Sequence, residues 1–306
     1  MNLGLAHYRI GDGPLARLLG GRAAQFEVDL DGERDDAGDT VFDAWDNGLA
    51  PIADLRTKLA TLCALIYTEG KPVGDRFTAM GWFAERVCRF LDRHPLVLDV
   101  EVWGDNDCPA INLGVVRSLD YEGLLATVAA AVRREHPEVR LWTGGFGPNL
   151  LPDAIHKGFA KYAPDAFDVC NYRPLLTTTG DTDVDCETLG MRLDIGRATL
   201  NQRCEGQPFA ASCFGVPTTA AGRPPRPLGL FYLVPHTHIR AAPEDEALEW
   251  YAAYLRLFVA HGFEAVCLLA RDEDRADLYG YSGLRDSSGR EKSFVRPLAD
   301  WLHSEL

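Results

Sequence analysis

Short apolar runs alternate with longer segments of helical period along the whole chain, and this alternation limits the possible folds more than any single motif does. Eight runs stand out: "LGLAHY" (3–8), "AAQFEVDL" (23–30), "LAPIADL" (49–55), "LVLDVEVW" (96–103), "VRLWTGG" (139–145), "FDVCNY" (167–172), "PFAASCF" (208–214) and "FEAVCLLA" (263–270). Between them lie amphipathic segments such as "FTAMGWFAERVCRFLDRH" (77–94), "DYEGLLATVAAAVRREH" (120–136) and "EDEALEWYAAYLRLFVAHG" (244–262), each ending near Gly or Pro. Short apolar runs separated by helical patterns read as βα units on a parallel sheet. Eight such units in 306 residues, with no Ser/Gly-rich linker between them, predict a single α/β domain over 1–306. Its architecture is expected to be a closed (β/α)8 barrel, the TIM barrel, rather than a doubly wound sheet. The first crossovers are the weakest, since "GPLARLLGG" is short and "DDAGDTVFDAWDNG" only partly follows the helical period.

In a barrel of this kind the chemistry sits at the C-terminal ends of the strands. The residues closing the runs are His7 and Tyr8, Asp29, Asp54 and Arg56, Trp103 to Asp107, Trp142, Asn171 to Arg173, Ser212 to Phe214, and Arg271 to Asp274. Aromatic, acidic and amide groups dominate, a mixture suited to sugars, whose rings stack on aromatic faces and whose hydroxyls bind carboxylates and amides. The Pro-rich stretch "GRPPRPLG" (222–229) falls where a long active-face loop would follow the seventh strand.

The formal charge of −14, from 31 basic and 45 acidic residues, argues against nucleic acid and anionic membrane as partners, because both need clustered Lys and Arg. No apolar segment reaches the ~20 residues needed to cross a bilayer, so membrane insertion is not expected. "MNLGLAHYRIGDG" has no basic region before an apolar core, so no signal peptide is read. The expected location is cytoplasmic, or within an assembly such as a virion. Eight scattered cysteines without C-x-x-C spacing read as reduced, mostly buried small hydrophobes. "DTDVDCETLG" (181–190) has the Asp spacing that opens a calcium loop, but Cys186 stands where the glycine is needed and Arg192 where the bidentate glutamate is needed, so it reads as a solvated acidic loop. "HTH" (236–238) offers two histidines two apart, which suit a metal only if a third ligand arrives from elsewhere. No metal and no cofactor are expected.

Four segments in order resemble the clan A retaining glycoside hydrolases. "LDVEVWGDND" is similar to their fourth strand, Glu-hydrophobic-Trp-Asn-Glu-Pro. "YEGLLATVAAAVRREHPEVRLWTGG" resembles their Tyr-containing fourth helix and fifth strand, and "FDVCNYRP" their sixth strand. "LYGYSGLRDSSGREKSFVRPLADWL" is similar to their ending, in which Gly-Leu, a turn and a basic residue precede the last helix. The resemblance implies a glycoside hydrolase-like barrel with substituted catalytic positions: Asp105 stands at the acid/base glutamate and Cys213 at the nucleophile. Retaining hydrolysis uses two carboxyl groups roughly 5–5.5 Å apart, and "AASCFG" has no neighbouring Lys, Arg or His to activate a thiol near its ordinary pKa of about 8.5. The expected saccharide contacts are Trp103, Asn106, Trp142, Asn171, Tyr172, Arg271 and Asp272.

Two readings stay open. One is a glycan-binding or structural protein with a degenerate catalytic site, with protein partners in a larger assembly such as a phage tail or cell-envelope complex. The other is an active glycoside hydrolase with a rebuilt site, using Asp105 together with Cys213 or another carboxylate such as Asp29, Asp54 or Asp272.

Overall fold

The computed structural model describes residues 1–30, 57–63, 76–103, 118–145, 165–174, 181–202, 206–219, 241–272 and 281–305. Eight parallel strands form the sheet: β1 (Asn2–Ala6), β2 (Ala23–Asp29), β3 (Thr57–Cys63), β4 (Asp99–Val102), β5 (Arg140–Thr143), β6 (Cys170–Tyr172), β7 (Phe209–Phe214) and β8 (Phe263–Leu269). Their order is β5-β4-β3-β2-β1-β8-β7-β6. The last seam, between β5 and β6, is bridged by the Thr143 amide donating to the Val169 carbonyl at 3.0 Å and the Asp168 amide donating to the Leu141 carbonyl at 2.7 Å. The expected (β/α)8 barrel is therefore present. Around it lie α1 (Gly13–Leu18), α2 (Arg76–Arg93), α3 (Ser118–Glu135), α4 (Thr182–Asn201), α5 (Ala247–Ala260) and α6 (Val295–Glu305).

Two sequence expectations need correction. The third strand is Thr57–Cys63, not 49–55; residues 49–55 lie outside the described set. "DTDVDCETLG" is not a loop but the start of α4. Asp181 caps it by accepting from the amides of Asp183 and Val184, both at 3.1 Å, and Asp183 and Asp185 lie in the first turn. An acidic run suits that place because the unpaired amides of a helix N-terminus favour negative charge.

Alternation along each strand separates two cores. Outward residues such as Phe26, Val100, Leu141 and Phe214 pack under the helices with Phe83, Leu124, Tyr251 and Phe258. Two small clusters fill the barrel interior: Leu59, Trp142, Val169, Ala210 and Ala265, and Ala6, Ala23, Cys213, Cys267 and Leu269. Gly4 lies where two strands close in, since a Cβ there would meet the Ala23 carbonyl oxygen at 2.3 Å. Between Val266 and Leu268 the β8 register shifts against β7, so Ala211 pairs with Val266 and Phe214 with Leu268. This bulge places two residues of β7, Ser212 and Cys213, opposite one of β8 and turns both inward.

Candidate functional site

The inward positions of β2, β3, β4, β6 and β7 in the upper half of the barrel are polar, and their side chains form one network. Its centre is Arg173, just past β6, which is 5% exposed and faces the fully buried Glu101 of β4. Arg173 Nε donates to Glu101 Oε1 at 3.1 Å and Nη2 to Oε2 at 3.3 Å, a two-point guanidinium–carboxylate pair. The Thr61 hydroxyl donates to Glu101 Oε2 at 2.5 Å and the Gly145 amide to Oε1 at 3.1 Å. Each carboxylate oxygen thus has two donors, the full set a buried carboxylate can use. Gly145 is required for this packing: a Cβ there would lie 2.2 Å from Arg173 Cγ.

Toward the mouth, Arg173 Nη1 reaches Glu27 Oε1 at 3.3 Å, and His7 Nε2 lies 3.2 Å from the same oxygen. Burial opposes ionisation of Glu27, but His7 and then Arg173 outweigh it and hold the carboxyl well below the usual range. Glu27 is nonetheless 45% exposed, and it is the charged group of the network that opens to solvent. Gln25 joins the layers, donating to Thr61 Oγ1 at 2.7 Å and accepting from the His7 amide at 2.8 Å. On the far wall, Asn171 and Ser212 bond reciprocally: Asn171 Nδ2 donates to Ser212 Oγ at 3.0 Å and the Ser212 amide donates to Asn171 Oδ1 at 2.9 Å. His7 and Trp103, which follow β1 and β4, have φ of 51° and 63°, the only non-glycine residues with positive φ among those described. Such conformations cost about 1–3 kcal/mol and gather at functional sites.

The expected site residues separate into several groups. Asp105 and Asn106 lie outside the described residues, as do Asp54, "GRPPRPLG" and "HTH". Asp29 ends β2. Asn171 belongs to the network. Cys213 is 2% exposed and packs among Ala6, Ala23, Cys267 and Leu269 beneath the mouth. The two tryptophans have no free face for a sugar ring. Trp103 turns onto Phe83 of α2, with ring centroids 5.4 Å apart, and Trp142 is enclosed in the barrel floor with its indole N–H donating to Asp99 Oδ1 at 2.8 Å. Tyr172 points outward onto Phe209 and Phe263. Arg271 donates to both oxygens of Asp12 at 2.6 Å, with Arg285 adding a contact at 3.1 Å. Asp272 pairs with Lys292 at 2.6 Å and accepts from the Gly283 amide at 3.0 Å. Burial pushes the Asp272 carboxyl up and the Lys292 ammonium down, with their mutual attraction acting the other way in each case. These pairs fasten the segment after β8 across the end of that strand.

Glu27 and Glu101 do not close any of the apolar runs, yet the sequence carries a signal for them. In "AAQFEVDL" and "LVLDVEVW" polar residues fall on every second position, Gln25 and Glu27 and then Asp99 and Glu101. In a strand covered by helices on one side, the alternate polar set has only the barrel interior to face. Tyr121, from the quoted helix, donates to the Val102 carbonyl at 2.7 Å and accepts from the Gly144 amide at 2.5 Å, tying α3 to the ends of β4 and β5.

No protein-family model and no curated protein sequence matches this chain. Among solved structures it is similar to an exo-β-1,4-mannosidase, Op5Man5, from Opitutaceae bacterium strain TAV5, with TM-score 0.63, 14% identity, and coverage of 100% of this chain and 59% of that one. It is also similar to a family 39 glycoside hydrolase from Bacteroides cellulosilyticus WH2, with TM-score 0.64, 15% identity, and coverage of 98% and 62%. A β-glucuronidase from Ruminococcus gnavus matches with TM-score 0.63, 12% identity, and coverage of 98% and 49%. The chain thus spans about half to three-fifths of the length of these structures. Its fold is the parallel (β/α)8 barrel that these glycoside hydrolases share.

Proposed function

We propose that residues 1–306 form one glycosidase-like barrel that recognises a saccharide at its C-terminal mouth and does not hydrolyse it through Cys213. The observation carrying this reading is that Glu27 and Glu101, the carboxylates of the mouth network, both bind Arg173. Hydrolysis by two carboxyl groups needs one to hold a proton for the leaving group and the other to be free to attack or to activate water. A pair held on one guanidinium offers neither. The thiol below is buried and packs among Ala6, Ala23, Cys267 and Leu269. Glu27 and His7 remain as hydroxyl-binding groups at the rim. The acidic chain favours a neutral or amino sugar oligomer over an anionic one. A role as a recognition module in a larger assembly, such as a phage tail or cell-envelope complex, follows from the same reading.

The strained backbone of His7 and Trp103 favours a second reading, an active hydrolase using Asp105 with another carboxylate. Titration of neutral and amino sugar oligomers, alongside aryl glycoside turnover, separates the two. Saccharide binding that weakens in Glu27→Gln, with no turnover and with Cys213→Ala unchanged, supports recognition. Turnover abolished by Cys213→Ala makes the thiol a nucleophile and ends the proposal. Turnover lost only in Asp105→Ala establishes the second reading. No binding across diverse saccharides leaves a structural role.

A further inference from the structure

At the face of the barrel opposite the mouth, the C-terminal ends of α2 and α3 lead into β4 and β5. Cys88 and Asp92 stand one turn apart on α2, and Glu135 and His136 close α3. The Cys88 sulfur, a Glu135 carboxylate oxygen and a His136 ring nitrogen all lie within 4.8 Å of one another. Asp92 Oδ1 is 3.5 Å from His136 Nε2. That nitrogen is sealed from solvent and makes no hydrogen bond, although the residue itself is only partly buried. The last carbonyls of two helices contribute partial negative charge at the same place.

We infer that Cys88, Glu135 and His136 form a binding site for one Zn²⁺-like divalent cation, with Asp92, beside His136, as the nearest further carboxylate. Thiolate and imidazole select a borderline-soft ion over Mg²⁺ or Ca²⁺, the Glu135 carboxylate gives a third ligand, and water or the Asp92 carboxylate fills the fourth position. Ligands about 2.0–2.3 Å from a tetrahedral ion lie roughly 3.6 Å apart, so the Cys88, Glu135 and His136 donors must draw in by up to about 1 Å. Glu135 is exposed and pairs with the exposed Arg134, the cation that a bound metal would replace. The site is far from the mouth and does not depend on the saccharide reading.

The test is titration of the purified, metal-free chain with Co²⁺ alone and with Zn²⁺ alone. One equivalent of Co²⁺ should produce a thiolate charge-transfer absorption that Zn²⁺ displaces. Cys88→Ser should abolish that absorption while far-ultraviolet circular dichroism stays unchanged, and His136→Gln should weaken Zn²⁺ at least about ten-fold. Mg²⁺ and Ca²⁺ should not compete. Absence of binding near one equivalent, or an absorption that survives Cys88→Ser, overturns the site. If Cys88→Ser does not fold, unchanged Zn²⁺ affinity in His136→Gln overturns it as well.

Discussion

Asp99 and Glu101 stand two residues apart on β4, both face the barrel interior and both are buried, yet they sit in unlike surroundings. Glu101, in the upper half, has Arg173, Thr61 and the Gly145 amide converging on its two oxygens. Asp99, in the floor, has the Trp142 indole N–H and a longer contact at 3.5 Å to Arg140, which is 41% exposed and also pairs with Glu264. Burial, opposed by Trp142 and Arg140, pushes the Asp99 carboxyl up to about 6. The contrast shows that depth alone does not decide the cost of a buried charge. The number and placement of its partners decide it.

The strongest way to break this comparison is Arg173→Met. It strips Glu101 of its counter-charge while leaving it enclosed, and should cost about 3–5 kcal/mol in urea unfolding. Adding Glu101→Gln to the same chain should recover much of that loss, since the uncompensated charge is gone. If the single variant loses less than about 1 kcal/mol, the network is not holding the upper barrel together.

A smaller effect of opposite sign is expected in the floor. The folded pKa of Asp99 lies above its ordinary 3.8, so between about pH 4 and 6 the folded chain binds more protons than the unfolded one. Stability from this group therefore falls as pH rises through that window. Asp99→Asn keeps an acceptor for Trp142 and should raise stability at pH 7 by on the order of 1–3 kcal/mol while flattening this descent. Thermal unfolding from pH 4 to 7 measures both; a variant less stable than the parent at pH 7 would show that the Arg140 contact outweighs burial.

Glu27→Gln should have the smallest effect on stability. The Glu27 carboxyl is held low by His7 and Arg173 against its burial, so its contribution is present above about pH 4.5 and is lost as pH falls below that. Because the side chain is nearly half exposed, the loss is a fraction of a kcal/mol, visible as a reduced acid-side slope in the same melts. A parent-like slope would mean that the Glu27 pairing is incidental.

The third strand, Thr57–Cys63, is less apolar than the run at 49–55, so the apolar pattern points to the wrong segment. Its inward Thr61 belongs to the polar network, and a strand that must present hydroxyls to a barrel interior does not read as a continuous hydrophobic run. Trp103 and Trp142 lie near strand ends, but a left-handed turn sends one outward onto α2 and the indole N–H of the other binds Asp99 in the floor. The sequence by itself determined the periodic features: parallel βα repetition, the positions of α2, α3 and α5, and the order of motifs resembling clan A. These are local, because each amphipathic segment carries its own spacing. Only the tertiary structure decided which strand residues meet. The β7 bulge turns Ser212 and Cys213 inward together, and ring closure brings Glu27, Glu101 and Arg173, from β2, β4 and just past β6, onto one centre. Partners 72 and 146 residues apart in sequence become neighbours only when the sheet closes, because closure converts strand order and register into distance.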